Sequence, residues 1–276
     1  MFSLLGKIGQ ENLCKMSTPI YFHEELDGVI WETERLISKN HKPPFAVRAN
    51  KMTSAKGRFG KRWHSESKDN LHLSVALPDL NMENVLILPC WAGIEVCKIL
   101  NKTIKELNFE LKWPNDIYCN GKKVSGMQSQ GTIQDKICYK NIFSIGLNVN
   151  TELIQFPDIY KDIATSLKIQ SNKKYDMNFI TEKVVEGIIN AWENCQDQQG
   201  DIQKEYDNLD YLKNKKIIYP IKSSSLGIDK EGSLKIKSDE DGEIHIIRNG
   251  DIILDNEKNL AKILNKTGCN FYINFE

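Results

Sequence analysis

The stretch Leu111-Lys-Trp-Pro-Asn-Asp-Ile-Tyr-Cys-Asn-Gly-Lys-Lys-Val-Ser-Gly126 leaves the backbone few choices. A strand enters a turn at Pro114-Asn115, a second strand runs from Asp116 to Cys119, Asn120-Gly121 forms a two-residue turn, and a return strand starts at Lys123. Asn-Gly readily takes φ > 0 at both central positions, so an antiparallel hairpin follows, and with it a sheet. A hairpin this short sets the Asp116 carboxylate near the Lys123 ammonium.

A second stretch, Ala55-Lys-Gly-Arg-Phe-Gly-Lys-Arg-Trp63, carries Lys56, Arg58, Lys61 and Arg62 with Gly57 and Gly60, and no carboxylate. Glycines let backbone N–H groups approach an anion, Arg supplies planar donors and Lys a point charge. Taken alone, such a run also describes a solvated basic loop. Beside an acid and a base on a hairpin, it describes a site that does chemistry on bound phosphate.

The rest of the chain supplies alternating helices and strands. Pro19 to Leu26 reads as a strand, and Asp27 as the cap of a helix through Ser38. Phe45 to Arg48 and Leu71 to Leu77 are strands. Asn84 to Leu107 is an amphipathic helix notched at Pro89, with Trp91 in the core, and Ile142 to Val149 is a buried strand. Phe179 to Cys195 forms a last helix, and Gln196 to Asn208 is its end and a linker. From Lys215 the pattern changes to short strands at Ile217 to Pro220, Ser233 to Lys237, Glu243 to Ile247 and Asp251 to Leu254.

Lys+Arg and Asp+Glu balance at 37 each, so no bulk electrostatic pull draws the chain to nucleic acid or an anionic membrane. Seven cysteines show no C-x-x-C pair, which points to reduced thiols in a cytoplasmic protein. No run approaches the ~18 apolar residues of a membrane span.

The basic glycine-containing loop ending in Trp63, Asn70-Leu-His-Leu-Ser74, Lys112-Trp-Pro-Asn-Asp116 with Lys123 and Gly126, Gly146-Leu-Asn-Val-Asn150 and Ala164-Thr-Ser-Leu167, in that order, resemble the biotin protein ligases. Leu226-Gly-Ile-Asp-Lys-Glu-Gly-Ser-Leu234 and Asn249-Gly-Asp251 are similar to the C-terminal domain of the same enzymes. The resemblance implies an α+β fold: a class II synthetase-like biotin/lipoate ligase catalytic domain, its mixed sheet packed with helices, over 19–208. A small SH3-like β-barrel follows at 212–276, and 1–18 is a loose leader. Some members carry an N-terminal helix-turn-helix domain; room for one is missing here, so no DNA-binding role is expected.

The implied activity joins biotin to ATP as biotinyl-5′-AMP, with Mg²⁺, and passes the acyl group to a lysine of a biotin carboxyl carrier domain. Lys56 and Arg58 fall where the family binds the biotin carboxylate and the phosphates, and Lys123 where a lysine meets the acyl-phosphate junction. Asp116 orients Lys123, holds Mg²⁺ through water, or takes a proton from the incoming lysine. The remaining loop residues, Gly57, Gly60, Lys61, Arg62 and Trp63, complete the expected ligand-binding set with Asn115, Gly126, Gly146 and Asn148. Asn115 serves equally well to hold its turn, and Trp63 and Trp113 serve either as flanks of the adenine or biotin or as core. The resemblance leaves homodimerisation open.

Departures concentrate on the side that holds the ureido ring. Asp27-Gly-Val-Ile30 stands where the family has Asp-Ser-Thr-Asn, and Met52 where it has Gln. Ala55 replaces a glycine, Lys56 an arginine, Ser144 a glycine, and Gln130 a glutamate. An acid pocket lined by Gly28, Val29, Ile30, Met52, Gln128 and Ser144 therefore admits three readings: a biotin ligase with substitute contacts, a same-fold ligase for another carboxylic acid, or a catalytically weak relative that binds a nucleotide or carrier. Gln128 and Gln130 are the candidate substitutes.

Overall fold

The computed structural model describes residues 18–55, 68–197 and 200–257. Its larger unit is built on an eight-stranded sheet of order β1-β2-β3-β8-β7-β6-β5, with β4 paired to β8. β1 (Ile20–Leu26) runs parallel to β2 (Phe45–Met52), which requires a crossover, and α1 (Val29–Ser38) provides it. β3 (Asn70–Leu77), β4 (Leu80–Asn81), β5 (Phe109–Lys112), β6 (Asp116–Cys119), β7 (Lys122–Gln134) and β8 (Ile137–Asn148) pair antiparallel.

β3 is buried along its whole length, so its two faces serve two cores. Leu71, Leu73, Val75 and Leu77 join the main core, under α2 (Met82–Thr103) and α4 (Met177–Asp197). Ala76 joins Val29, Leu36, Phe45, Val47 and Ala49 beneath α1. The helices α2 and α4 approach closely because Gly187 lacks a side chain: a Cβ there would lie 3.1–3.2 Å from Val96.

Several boundaries differ from the sequence reading. Asp27 does not cap α1; the N-cap is Gly28. Asp27 turns back to the Arg35 guanidinium at 2.8 and 3.1 Å and accepts from the Gly28 N–H. A full charge outcompetes the neutral first-turn amides, and Arg35 holds the Asp27 carboxyl down at about 2. α2 continues through Pro89 and starts at Met82, whose N–H donates to Lys136 O at 2.9 Å. The expected linker at 196–208 contains α5 (Ile202–Asp207), capped by Asp201 and anchored by buried Ile202 and Tyr206. A short α3 (Leu167–Ser171) is capped by the Ser166 hydroxyl.

The C-terminal unit is a five-stranded antiparallel sheet of order β12-β11-β10-β9-β13. Its strands are β9 (Lys216–Tyr219), β10 (Ser223–Ile228), β11 (Leu234–Ser238), β12 (Ile244–Ile247) and β13 (Ile253–Leu254). The serine-rich β10 escaped the sequence reading. Among the described residues the sheet is open rather than the expected closed barrel: closure needs the outer strands β12 and β13 to pair, and β13 has only two residues.

The two units share one continuous core, in which Ile217, Ile228, Leu234, Ile236 and Leu254 pack with residues of α2 and β5. Leu111 of β5 pairs with Asp210, donating to Leu209 O at 2.7 Å and accepting from Tyr211 N at 2.8 Å. No described helix is long and apolar enough to cross a membrane.

Asp210 gives this junction a pH response. Its carboxyl is buried, which raises its pKa from 3.8 to about 6 against the lowering effect of the Leu212 N–H and the Ser225 hydroxyl. Below about pH 4 the group is neutral in both folded and unfolded chains. As pH rises through about 6 the unfolded chain releases its proton first, so stability falls by about 2–3 kcal/mol across that window. Asp210→Asn is expected to remove this fall and to raise stability at neutral pH, as read by urea unfolding at pH values spanning the window. An unchanged pH slope in the variant would refute the assignment.

Candidate active site

The Asn120-Gly121 turn forms as its sequence requires, with φ of 49° and 81°. Tyr118 then pairs with Lys123, but Asp116 pairs with Gly126, because a register shift lies between Ile117 and Tyr118. That bulge re-aims the return strand and brings Lys123 Nζ to 2.7 Å from Asp116 Oδ1. Both side chains remain partly exposed, at 31% and 20%, so the pair faces a solvent-accessible space.

Across the sheet, one row of register partners runs Lys112, Asp116, Gly126, Gly146, His72 and Ala49. Two facing glycines leave the middle of that row without side chains, so a ligand can lie close to the β7 and β8 backbones. The row beside it holds Asn148 opposite Asn70. Asn148 Nδ2 donates to Thr165 O at 2.9 Å, and Thr165 N donates to Lys123 O at 2.8 Å. Lys123 N donates in turn to Ile163 O, also at 2.8 Å. The Ala164-Thr-Ser-Leu167 motif is thereby strapped to the strand that carries Lys123. Asn115 donates to Met127 O at 2.7 Å while Met127 N donates back to Asn115 O, so this residue holds its turn.

On the other side of the glycine pair, the row Gln128, Ser144, Ser74 and Val47 runs beneath the start of α1. The hydroxyls of Ser74 and Thr33 each donate to Val29 O at 2.9 Å, and Ser144 Oγ donates to Gln128 O at 3.3 Å. Gly28, Val29, Gln128 and Ser144 are thus brought together around Ser74. Met52, at the end of β2, packs on the same cluster as Val29, and Ile30 is half-buried in α1. Gln130 donates to Glu34 Oε1 at 2.6 Å, and so is engaged with α1 rather than with the row of Ser144. Lys56, Gly57, Arg58, Gly60, Lys61, Arg62 and Trp63 lie outside the described residues; the strands that flank them, β2 and β3, are neighbours in the sheet.

Trp113 is core: it is buried, and its Nε1 donates to Gly232 O in the C-terminal unit at 3.0 Å. The sequence reading missed Thr33 and Glu257. Glu257 grips buried Lys112 through both oxygens, at 2.6 and 2.8 Å. Burial pulls the Lys112 pKa down and the Glu257 charge opposes it, while burial pushes Tyr118 up. A carboxylate so distant in sequence gives no local signal; a motif lysine at a strand end was the only hint.

Residues 29–150 match the biotin/lipoate A/B protein ligase family. The chain is 29% identical over 171 residues to the bifunctional ligase/repressor BirA of Bacillus subtilis strain 168, covering 62% of this chain and 52% of that protein. It is 31% identical over the same length to BirA of Bacillus spizizenii. The chain thus spans about half the length of the curated relatives it matches. Among solved structures, the biotin protein ligase of Aquifex aeolicus in complex with biotin and ATP is 27% identical, with a TM-score of 0.70 over 86% of this chain and 98% of that one. The match spans the rows of Ser74 and Gly146 as well as the Asp116–Lys123 pair, and residues 29–150 form a domain of the biotin/lipoate A/B protein ligase family.

Proposed function

We propose that this chain is a biotin protein ligase, which adenylates biotin with ATP and transfers the acyl group to a lysine of a biotin carboxyl carrier domain. The observation that carries the reading is the Asp116–Lys123 pair at 2.7 Å beside the facing glycines Gly126 and Gly146. In the first half-reaction a biotin carboxylate oxygen attacks the α-phosphorus of ATP and pyrophosphate leaves. Like charges meet in that step, and the Lys123 ammonium, oriented by Asp116, neutralises them. Arg58 and Lys56 of the basic loop bind the carboxylate and the phosphates, and Asn148 keeps the loop beyond Gly146 in place. In the second half-reaction the carrier lysine, as the free amine, attacks the acyl carbon and AMP leaves.

Mg²⁺ accompanies the nucleotide and screens its phosphates. Among the described residues no group of three or more His, Cys, Asp or Glu gathers for a metal, and Asp116 is the carboxylate that would hold the ion. The five described cysteines are buried free thiols, which suits a cytoplasmic enzyme. The C-terminal sheet is read as an SH3-like domain whose boundary with the catalytic domain falls between 208 and 212.

A second acid is kept in view by one observation: Gly28, Val29, Ile30 and Met52 offer no hydrogen-bonding side chain to a ureido ring. No described side chain caps α1, so its first-turn N–H groups are the donors available to the ring carbonyl. The test is to incubate the protein with ATP, Mg²⁺ and biotin, octanoate or lipoate, and to identify the adenylate by mass. Biotinyl-AMP as the main product supports the proposal; its absence alongside another acyl-adenylate refutes it. Met52→Gln is expected to tighten biotin by about three- to tenfold in calorimetric titration, the worth of about one hydrogen bond. An unchanged Kd would show that the ring lies elsewhere.

A further inference from the structure

Two lysines and two carboxylates meet where the C-terminal unit touches the catalytic hairpin. Lys112 and Asp116 are register partners on β5 and β6, and Asp116 pairs with Lys123. Lys112 is nevertheless committed elsewhere: both Glu257 oxygens take it, at 2.6 and 2.8 Å. Tyr118 OH donates to Glu257 Oε1 at 2.9 Å, and Leu254 N donates to Glu257 Oε2 at 3.0 Å. The carboxylate is therefore fully engaged and 8% exposed, and Lys112 is 6% exposed. A buried ammonium that loses such a partner is left uncompensated, and it is drawn to any other anion that already acts on it. That anion is Asp116, which already acts electrostatically on Lys112.

We propose that Glu257 is a positioning residue of the adenylation site: by holding Lys112, it leaves Asp116 to orient Lys123. This rests on the adenylating role proposed above for Lys123. The C-terminal unit then acts on the chemistry through the Glu257 carboxylate, by way of Lys112 and Asp116.

The test compares Glu257→Gln with the double variant Lys112→Met/Glu257→Gln in the full chain, using biotin-dependent exchange between ATP and pyrophosphate. The amide keeps one acceptor oxygen, for the Leu254 N–H, and turns its NH₂ to the Tyr118 oxygen, but removes the charge, so Lys112 competes for Asp116. Glu257→Gln is expected to lower kcat by at least about tenfold with KM for biotin and ATP nearly unchanged, the pattern of a lost transition-state contact. The deficit shrinks as pH rises, because a deprotonated Lys112 no longer competes. The double variant recovers most of kcat, since the rival ammonium is gone. A wild-type kcat in Glu257→Gln, or a deficit that is independent of pH and not rescued in the double variant, overturns the proposal. Should Glu257→Gln fail to fold, the double variant decides: a kcat near wild type supports the proposal, and a loss of tenfold or more overturns it. If the wild-type protein itself catalyses no exchange, the reading of the site fails, and the positioning is read instead from the ¹⁵N resonance of the Lys123 ammonium. A shift in Glu257→Gln that reverses in the double variant supports the Glu257 contact, and an unmoved resonance overturns it.

Discussion

Replacing Lys123 by alanine is expected to lower the rate of adenylate formation by about 10²–10³-fold, the usual cost of removing one group aimed at developing transition-state charge. The fold should survive. The turn at Asn120-Gly121 depends on positive φ rather than on this side chain, and the strap to Ile163 and Thr165 uses only the Lys123 backbone. Asp116 is left without its ammonium, but it is partly exposed and water can serve it. Pyrophosphate release at saturating biotin and ATP, with unfolding followed in parallel, separates chemistry from stability. A solvated strand lysine with no catalytic part would change stability within about ±0.5 kcal/mol and leave turnover intact. Near-normal turnover in the variant would therefore remove Lys123 from the mechanism.

Trp113→Ala is expected to destabilise the protein by about 3–5 kcal/mol, the range for truncating a buried aromatic side chain. The ring sits between α2, β5 and the C-terminal sheet, so the cavity opens in the core that the two units share. Both units should consequently unfold in a single shifted transition in urea. Trp113→Phe keeps a six-membered ring but loses the pyrrole half of the indole and, with it, the donor to Gly232 O, which Cys90 Sγ also approaches at 3.6 Å. Its cost should be about 1–3 kcal/mol, below that of the alanine variant, and its affinity for biotin and ATP should match wild type. A changed Kd in a stable Trp113→Phe protein would return this residue to the ligand site.

What was legible in the sequence was written locally. The hairpin turn, the Asp116–Lys123 proximity and the strand at Leu71 to Leu77 each depend on residues a few positions apart, and each appears as read. Features set by distant contacts were hidden. α5 looks polar because only Ile202 and Tyr206 face inward, and β10 looks like a serine-rich turn because its pairing with β9 and β11 supplies the order. Asp27 has an ideal capping residue's chemistry, but Arg35 eight positions later takes the carboxylate. The acid pocket was legible as a set of departures, and only the sheet register shows that Ser74 and Ser144 lie in the same row as Gln128.

The pairing of Leu111 with Asp210 also bears on how the chain avoids self-association while it is being made. β5 is the outer strand of the large sheet, and an outer strand with free N–H and C=O groups is a template on which another chain can add. Here residues 209–211 occupy that edge, and they emerge from the ribosome almost a hundred residues after Leu111. A nascent chain thus carries an uncovered β5 through the synthesis of β6, β7, β8 and α4, during which neighbouring polysomal chains compete with its own later segment. The Leu209–Tyr211 segment works as a cap on the sheet as well as a joint between units, and chains terminated ahead of it are the ones most exposed to aggregation.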